Sequence, residues 1–426
     1  MKWCQKITAG SLQFVLFIGV VIALLLLTFV TLAHSHSFFG KKTVRFVNTV
    51  KAADFGLATA LKTQMSFNDS TEIEIPFENQ IRVRAIREYW GVLEKYTVVA
   101  TAKKNHFTKS VLVGSKSTTE LPALYLQDNE RPMIIVGKAK IRGNVFLPKQ
   151  GIRPGNISGN SFYGASLVSG RQLESNARLP ELDSEFQDRV QKMSKNWVPQ
   201  QHMETLKLSR NTIVHNSFKH PTKVIQGDNV MLFAVSLKGN IIVHASRRIV
   251  VDASSSLKDV VLIAPEIIIK DRVSGTFQAI ASKHIEIGQN CHLAYPSALV
   301  VSSTSPAAET SKNIRKSNII LGPNSLVKGF LMYLGPKEEE RTFSPQIKVD
   351  NNTDVWGEIY CHKNLELKGN VIGSVSTSGF MALENGSIYQ NHLFNGTIDI
   401  GKLPQQYVGL PLRGNKTFKA VVKWLY

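Results

Sequence analysis

Residues 241–295 read IIVHASRRIVVDASSSLKDVVLIAPEIIIKDRVSGTFQAIASKHIEIGQNCHLAY and contain a short repeat. Three triplets that begin with isoleucine start 18 residues apart, at Ile249, Ile267 and Ile285, and each follows a small-residue step. Such a period is typical of stacked coils, because one coil cannot bury its apolar face without neighbours. The repeat therefore predicts a right-handed parallel β-helix, a solenoid, as the main fold.

The triplets also predict which side chains face outward. Side chains alternate between the two faces of a strand, so the first and third members of each triplet should lie inside. The middle position then lies outside, which suits the charged Glu286. The residues before the triplets, Arg248, Glu266 and His284, should stack as a charged column on the outer face, about 4.8 Å apart.

A second pattern places glycine between two apolar positions. It occurs at Gly143, Gly329, Gly357, Gly373 and Gly396. Because glycine permits sharp bends, we expect these residues at the corners of coils. These rungs resemble those of bactofilins and related polymer-forming β-helix proteins. The resemblance implies a surface for self-association or for binding a polymer, and no known active site.

The N-terminal region contains an apolar segment, residues 14–33, with the sequence FVLFIGVVIALLLLTFVTLA and no charge. At 1.5 Å per residue, its 20 residues match a hydrocarbon core of about 30 Å. It is longer than the apolar part of a cleaved signal peptide, for which Ala33 would end the cleavage motif. We therefore expect a single-pass cell-membrane protein with a cytoplasmic head, 1–13, and an ectodomain outside the cytoplasm, although the flanking charges do not fix this orientation.

Two further elements are predicted after the membrane segment. Apolar spacing indicates that the helix extends over 34–66, and apolar–charged alternation predicts an antiparallel meander over 67–126. This combination resembles the pilins and pseudopilins, including the PilX type, over about the first 120 residues. Gly10 followed by Ser11 mimics a prepilin cleavage point, with Val15 where such a site carries glutamate. The resemblance implies a minor component of a pilus or secretion machine.

The predicted β-helix occupies 127–403. A strongly charged segment with an apolar stripe, within 179–209, indicates a helical insertion. The last segment, 404–426, is apolar and basic and is expected to form a tail or a cap on the last coil. The fold class is thus mainly β, with a membrane helix, a small meander and a solenoid.

The net charge of +19 implies anionic surroundings. Residues after the head carry 49 basic and 32 acidic side chains, a net +17, and this charge is spread along the chain. No nucleic-acid-binding signature accompanies it, so an anionic envelope polymer or lipid surface is favoured over nucleic acid. The three cysteines, Cys4, Cys291 and Cys361, are too few for a disulfide framework; we expect two buried thiols, with a Cys291–Cys361 bridge as the alternative.

Motifs for chemistry are not found in the sequence. The phosphate-binding loop, the nucleophile elbow, the zincin pair and the dinucleotide fingerprint do not occur. We therefore predict no catalytic, cofactor-binding or metal-binding residue and no enzyme activity. Three functions remain open: a membrane-anchored envelope scaffold or adhesion module, a minor pilin-like component, and a polysaccharide-active β-helix enzyme.

Overall fold

The computed structural model describes residues 10–76, 80–118, 120–303, 317–336, 344–413 and 417–425. The chain is mainly β and forms two units. The first unit contains the described residues of 1–60, 70–85 and 98–109. The second contains the described residues of 61–69, 86–97 and 110–426. The predicted head, 1–13, is described from Gly10 onward, so Cys4 lies outside the described residues.

The helices are α1, Gly10–Ala60, and α2, Ser184–Lys195, with a 3-10 helix at Ile400–Lys402. The strands are β1 Ser70–Ile73, β2 Ile81–Trp90, β3 Leu93–Ala102, β4 Asn105–Ser117, β5 Leu124–Leu126, β6 Met133–Val136, β7 Lys140–Arg142, β8 Val145–Leu147, β9 Ile152–Pro154, β10 Asn156–Ile157, β11 Asn160–Ser161, β12 Gln172–Glu174, β13 Glu204–Thr205, β14 Ile213–Asn216, β15 Lys223–Leu232, β16 Ser236–Gly239, β17 Ile241–Val251, β18 Ser256–Ile269, β19 Ser274–Ile287, β20 His292–Ser302, β21 Ile319–Leu321, β22 Leu326–Leu334, β23 Ile347–Val349, β24 Asp354–Leu367, β25 Asn370–Glu384, β26 Ser387–Gln390, β27 His392–Phe394, β28 Thr397–Asp399 and β29 Thr417–Leu425.

Helix α1 is one uninterrupted element of 51 residues. Among the described residues it is the helix that is long and apolar enough to cross a membrane, and its segment 14–33 is exposed throughout. The helix ends at Ala60, six residues before the predicted end at 66. The segment that follows belongs to the second unit, where Met65 is buried and its carbonyl accepts a hydrogen bond from Arg87.

Small side chains allow the end of α1 to pack closely against strands of the first unit. The buried helix residues are Thr49, Ala52, Ala53, Gly56, Leu57 and Ala60. A Cβ atom at Gly56 would collide with Val83 and would lie 3.1 Å from Cγ1 of Val98. The helix backbone can therefore approach these strands only because residue 56 has no side chain.

The predicted meander is an antiparallel sheet with the order β1-β2-β3-β4-β29. Two-residue turns join β2 to β3 and β3 to β4, with positive φ at Gly91 (+61°) and Lys103 (+54°). The fifth strand, β29, pairs antiparallel with β4, where Val421 is opposite Val113. Residues 417–425 of the predicted tail or cap are thus a sheet strand, because β4 offers an edge with unpaired amide and carbonyl groups.

The triplets of the repeat lie in register in a closed, mostly parallel sheet of the second unit. Ile249 is paired with Ile267, and Ile267 with Ile285. All three are completely buried, and the column continues through β21, β23 and β24 with equally buried residues. The middle position is partly exposed, as at Glu286. Every strand of this column thus contributes one aliphatic side chain to a continuous core.

The order of strands in this sheet departs from the order in the sequence. The run from β15 to β25 is sequential, but β5 then pairs in parallel with β25, and β7 with β28. Leu124 lies opposite Val375, 251 residues later. Strand β5, which falls inside the predicted meander 67–126, therefore belongs to the parallel sheet, where Leu124 and Leu126 are fully buried.

Three of the predicted corner glycines form a column. Gly329, Gly357 and Gly373 are paired across β22, β24 and β25 and have φ values of +143°, +141° and +154°. A Cβ atom on any of them would collide with a backbone carbonyl of the adjacent strand. Gly143 also has positive φ (+124°), whereas Gly396 does not, although a Cβ there would meet a carbonyl oxygen as well.

Candidate binding groove

The predicted charge column is aligned but does not form a concave site. Arg248 Nη2 lies 2.7 Å from Glu266 Oε2, and these side chains are 49% and 37% exposed. His284 has other partners: its Nδ1 lies 2.8 Å from the Ser317 carbonyl and its Nε2 lies 3.3 Å from Glu286. An exposed ion pair of this kind contributes about 0–1 kcal/mol to stability.

The part of the chain that the structure describes contains no group of three or more His, Cys, Asp or Glu residues that could hold a metal ion. Cys291 and Cys361 are both free and buried. Burial raises the pKa of the Cys361 thiol to about 12, so this thiol stays protonated and unreactive at neutral pH.

A groove of about 1130 Å³ opens on the second unit. Strands β24 and β25 contribute residues 360–364 and 378–381 to it. Residues 127–131, after β5, and residues 177–188, which lead into α2, contribute further lining. Segments that lie far apart in the sequence therefore meet here, because β5 is placed beside β25.

Hydrogen bonds at Ser378 fix the lining of this groove. Ser378 Oγ lies 2.6 Å from Gln127 Oε1 and 2.7 Å from the His362 carbonyl. The amide of Asn129 donates to the Ser378 carbonyl over 2.6 Å, and the amide of Gln127 donates to the Ala177 carbonyl over 3.0 Å. All four segments of the groove are thus held by one network, which gives a preformed site.

The groove is basic. Its charged lining residues are Arg131, Arg178, Lys363, Arg413, Glu181 and Asp188, so four cations minus two carboxylates leave +2. Arg413 Nη1 lies 3.5 Å from Glu181 Oε2, and both side chains are 60% exposed. Arg131 donates a hydrogen bond to Gln390 Oε1 over 2.7 Å. Because the glutamine amide is neutral, this bond does not neutralise the positive charge of Arg131.

A tyrosine anchors the segment 177–188. Tyr360 Oη donates to the Pro180 carbonyl over 2.9 Å, and the ring centroid lies 5.4 Å from that of His362. Burial raises the pKa of Tyr360, with a further contribution from the negative charge of Glu181, so the phenol remains a hydrogen-bond donor. His362 is half-buried and contributes a ring to the groove lining.

A second cavity of about 810 Å³ shares lining with the groove. Residues 177–179 and Arg413 line both. Tyr125 and Phe146 line the second cavity with stacked rings, 5.4 Å apart, and Tyr125 Oη donates to the Arg178 carbonyl over 3.1 Å. The two cavities are thus neighbours, separated by the segment 177–179 that lines both.

The sequence did not predict this groove. Its basic residues are spread over positions 131, 178, 363 and 413, and no local spacing links them. The alternation of Gln127, Asn129 and Arg131 after a short apolar run was an available signal, because such residues face the same side of an extended chain. Comparison with protein-family models, with curated proteins and with solved structures gave no match for this chain, so the bactofilin and pilin resemblances remain predictions.

Proposed function

We propose that this chain is a single-pass, membrane-anchored envelope protein whose β-rich unit is a scaffold that binds an anionic envelope polymer. The observation that carries the proposal is the basic groove with its neighbouring second cavity. Guanidinium groups bind carboxylates and phosphates through paired hydrogen bonds, and three of the four cations in the groove are arginines. The mechanism is passive: the preformed groove binds the polymer, and the protein links it to the membrane.

The scaffold is proposed to be a right-handed parallel β-helix with bactofilin-like rungs. The in-register pairing of β17, β18 and β19 supports this architecture. Stacked rungs of this kind would also offer a surface for self-association, in addition to polymer binding.

Anchoring is proposed to occur through residues 14–33 of α1, with the β-rich part outside the cytoplasm. The support is the length, apolar composition and full exposure of this helix segment. Exposing the apolar side chains of this segment to water would be unfavourable by about 1.5–3 kcal/mol for each large aliphatic or aromatic residue. A bilayer removes this cost.

The test measures binding of oligogalacturonate, a polyanionic sugar chain, to the full-length protein in detergent by titration calorimetry. The variant Arg131→Gln/Lys363→Gln should bind about 10–100-fold more weakly, because two charge-assisted contacts are lost. The control Arg153→Gln/Lys219→Gln removes the same charge at exposed positions that do not line the groove, and should change affinity by less than about twofold.

Equal losses in both variants would contradict a groove-specific site and indicate a general effect of net charge. A neutral dextran of matched length should not bind. Turnover of the oligogalacturonate would instead favour the polysaccharide-active enzyme.

A second candidate, a minor pilin-like component, is favoured by the close packing of α1 at Gly56 on strands of the first unit. Pilin-like proteins would use this helix for assembly, and processing would follow Gly10. The intact mass of the mature protein decides this question. A mass that includes Met1 would contradict the processed form, and a loss of residues 1–10 would support it.

A further inference from the structure

A basic notch of about 510 Å³ lies in the first unit, beside the part of α1 that follows the apolar segment. Its lining includes Phe39, Lys42 and Phe46 of the helix and Lys104 and His106 near the turn between β3 and β4. All five side chains are exposed or partly exposed. The notch therefore combines ammonium groups with aromatic rings on an accessible surface.

The β3–β4 turn is held against the helix by contacts next to the notch and beyond it. The rings of Phe46 and Phe107 meet edge to face, with centroids 6.2 Å apart. Further along both elements, Lys109 forms an ion pair with Asp54. These contacts place the lysine of the turn beside the lysine of the helix without a ligand, so the notch is preformed within this unit.

The two segments that form the notch are strongly basic. Residues 34–53 contain four Lys and Arg residues, and residues 98–109 contain three, with no Asp or Glu in either segment. Asp54 lies just beyond the first segment and is paired with Lys109. The remaining cations give the notch a positive potential that suits a phosphate group.

The notch also lies at a suitable height above a bilayer. Lys42 is nine residues beyond Ala33, about 13–14 Å along a helix with a 1.5 Å rise. The headgroup region is about 5–7 Å thick on each side, and helical side chains tilt toward the N-terminus, here toward the membrane. A lysine stem can therefore bring its ammonium group into the headgroup layer, while exposed Phe39 lies closer to the acyl chains.

We propose that this notch binds the phosphate headgroup of an anionic phospholipid, with Lys42 and Lys104 as the phosphate ligands and Phe39, which lies nearer the bilayer, against the glycerol region. This inference rests on the proposed anchoring through residues 14–33. It goes beyond that proposal, because a lipid site on α1 and the β3–β4 turn would fix the depth and rotation of the helix in the membrane.

The experiment uses the full-length protein extracted from membranes containing phosphatidylglycerol and phosphatidylcholine in equal amounts. Native mass spectrometry counts the lipids that remain bound. The wild-type protein should retain phosphatidylglycerol preferentially, and Lys42→Gln/Lys104→Gln should reduce that retention about tenfold or more, since each lysine near anionic lipid contributes about a fivefold effect. The matched control is Lys41→Gln/Lys51→Gln, which removes the same number of positive charges at exposed helix positions outside the notch.

Each outcome has a defined meaning. Retention that falls only in the Lys42/Lys104 variant supports the site, and an equal fall in the control overturns it. Displacement of the lipid by excess inorganic phosphate would overturn the lipid assignment and leave a simple anion site. Alkaline extraction of the same membranes tests anchoring separately: a protein that washes off refutes the anchor, whereas a retained protein without lipid preference refutes only the notch.

Discussion

Glu358 is a buried carboxyl group that holds the C-terminal segment before β29. Its Oε1 accepts a hydrogen bond from the backbone amide of Leu410 over 3.1 Å. Tyr407, which also bonds Glu358, donates to the Gly329 carbonyl over 3.1 Å, and Tyr295 donates to the Val408 carbonyl over 2.9 Å. Burial raises the pKa of Glu358 to about 7, because desolvation outweighs the hydrogen bonds from Leu410 and Tyr407.

This pKa predicts a pH-dependent stability. Between pH 4.5 and about 7 the folded protein retains a proton that the unfolded chain has released, so the free energy of unfolding should fall as pH rises through this window and level off above it. The variant Glu358→Gln cannot titrate. Its stability relative to wild type should therefore increase from pH 4.5 to pH 8 by up to about 3 kcal/mol, at about 1.36 kcal/mol per pKa unit.

Urea unfolding of both proteins at these two pH values checks this prediction. Parallel changes in wild type and Glu358→Gln would show that other groups cause the pH dependence. Glu174→Gln is a suitable control, because it makes the same substitution at an exposed position of the second unit.

A glycine column predicts a second residue-scale effect. Gly357→Ala should destabilise the protein by about 3 kcal/mol or more, because φ is +141° and the new methyl group would collide with the Gly329 carbonyl. Gly386→Ala separates the effect of positive φ from the effect of the collision. Its φ is +78°, but no atom lies within 4 Å of the added carbon. It should cost only about 1 kcal/mol. Equal midpoints in thermal unfolding would refute the steric explanation.

At the scale of elements, one ionic network joins the β2–β3 hairpin to β29. Glu94 accepts two hydrogen bonds from Arg87, at 2.7 and 3.0 Å, and one from Lys419 at 3.0 Å. Arg87 also donates to the Met65 carbonyl, and its guanidinium lies 3.6 Å from the ring centroid of Phe67. Burial alone would raise the pKa of Glu94, but Arg87 and Lys419 outweigh it and lower this pKa.

Glu94→Gln should therefore destabilise the protein by about 2–4 kcal/mol, since it removes the carboxylate partner of Lys419 and leaves the largely buried Arg87 with the longer, 3.6 Å ion pair to the exposed Glu185. Glu266→Gln is the matched control, because it removes a carboxylate from an ion pair of similar length that is much more exposed. It should cost at most about 1 kcal/mol. Similar losses for the two variants in chemical unfolding would contradict a special role for burial.

At the scale of the whole molecule, the junction of β5 and β7 with β25 and β28 determines the strand order of the second unit. Arg142 of β7 and Asp399 of β28 are paired in register at this junction. The guanidinium group of Arg142 lies 3.2 Å from the carboxylate of Asp399. Arg142→Cys/Asp399→Cys should thus form a disulfide on mild oxidation. Arg142→Cys/Thr397→Cys, displaced by two residues, should not, because its Cα separation exceeds about 7 Å.

Digestion without reducing agent and mass spectrometry would detect the linked peptides. Equal linkage in the two variants would indicate a mobile junction, and linkage in neither would contradict the strand order.

The sequence predicted the mainly β composition and the apolar N-terminal helix, and both are confirmed. The spacing of Ile249, Ile267 and Ile285 also predicted their pairing, because a repeat specifies both the buried face and the neighbouring strand. Short strands such as β5 specify only the buried face. The sequence therefore could not place Leu124 beside Val375, and the groove that depends on this junction was missed for the same reason.

The same junction has a consequence for synthesis. Leu124 emerges 251 residues before Val375, its partner in β25. At a translation rate of about 5–20 residues per second, β5 is synthesised on the order of 10–50 s before its partner strand β25 exists. Folding of the second unit is thus largely post-translational, and its contact order makes it slow. Until β25 is made, the strand edge that it covers in the folded protein is open to pairing with other chains, so the early segment needs protection from aggregation.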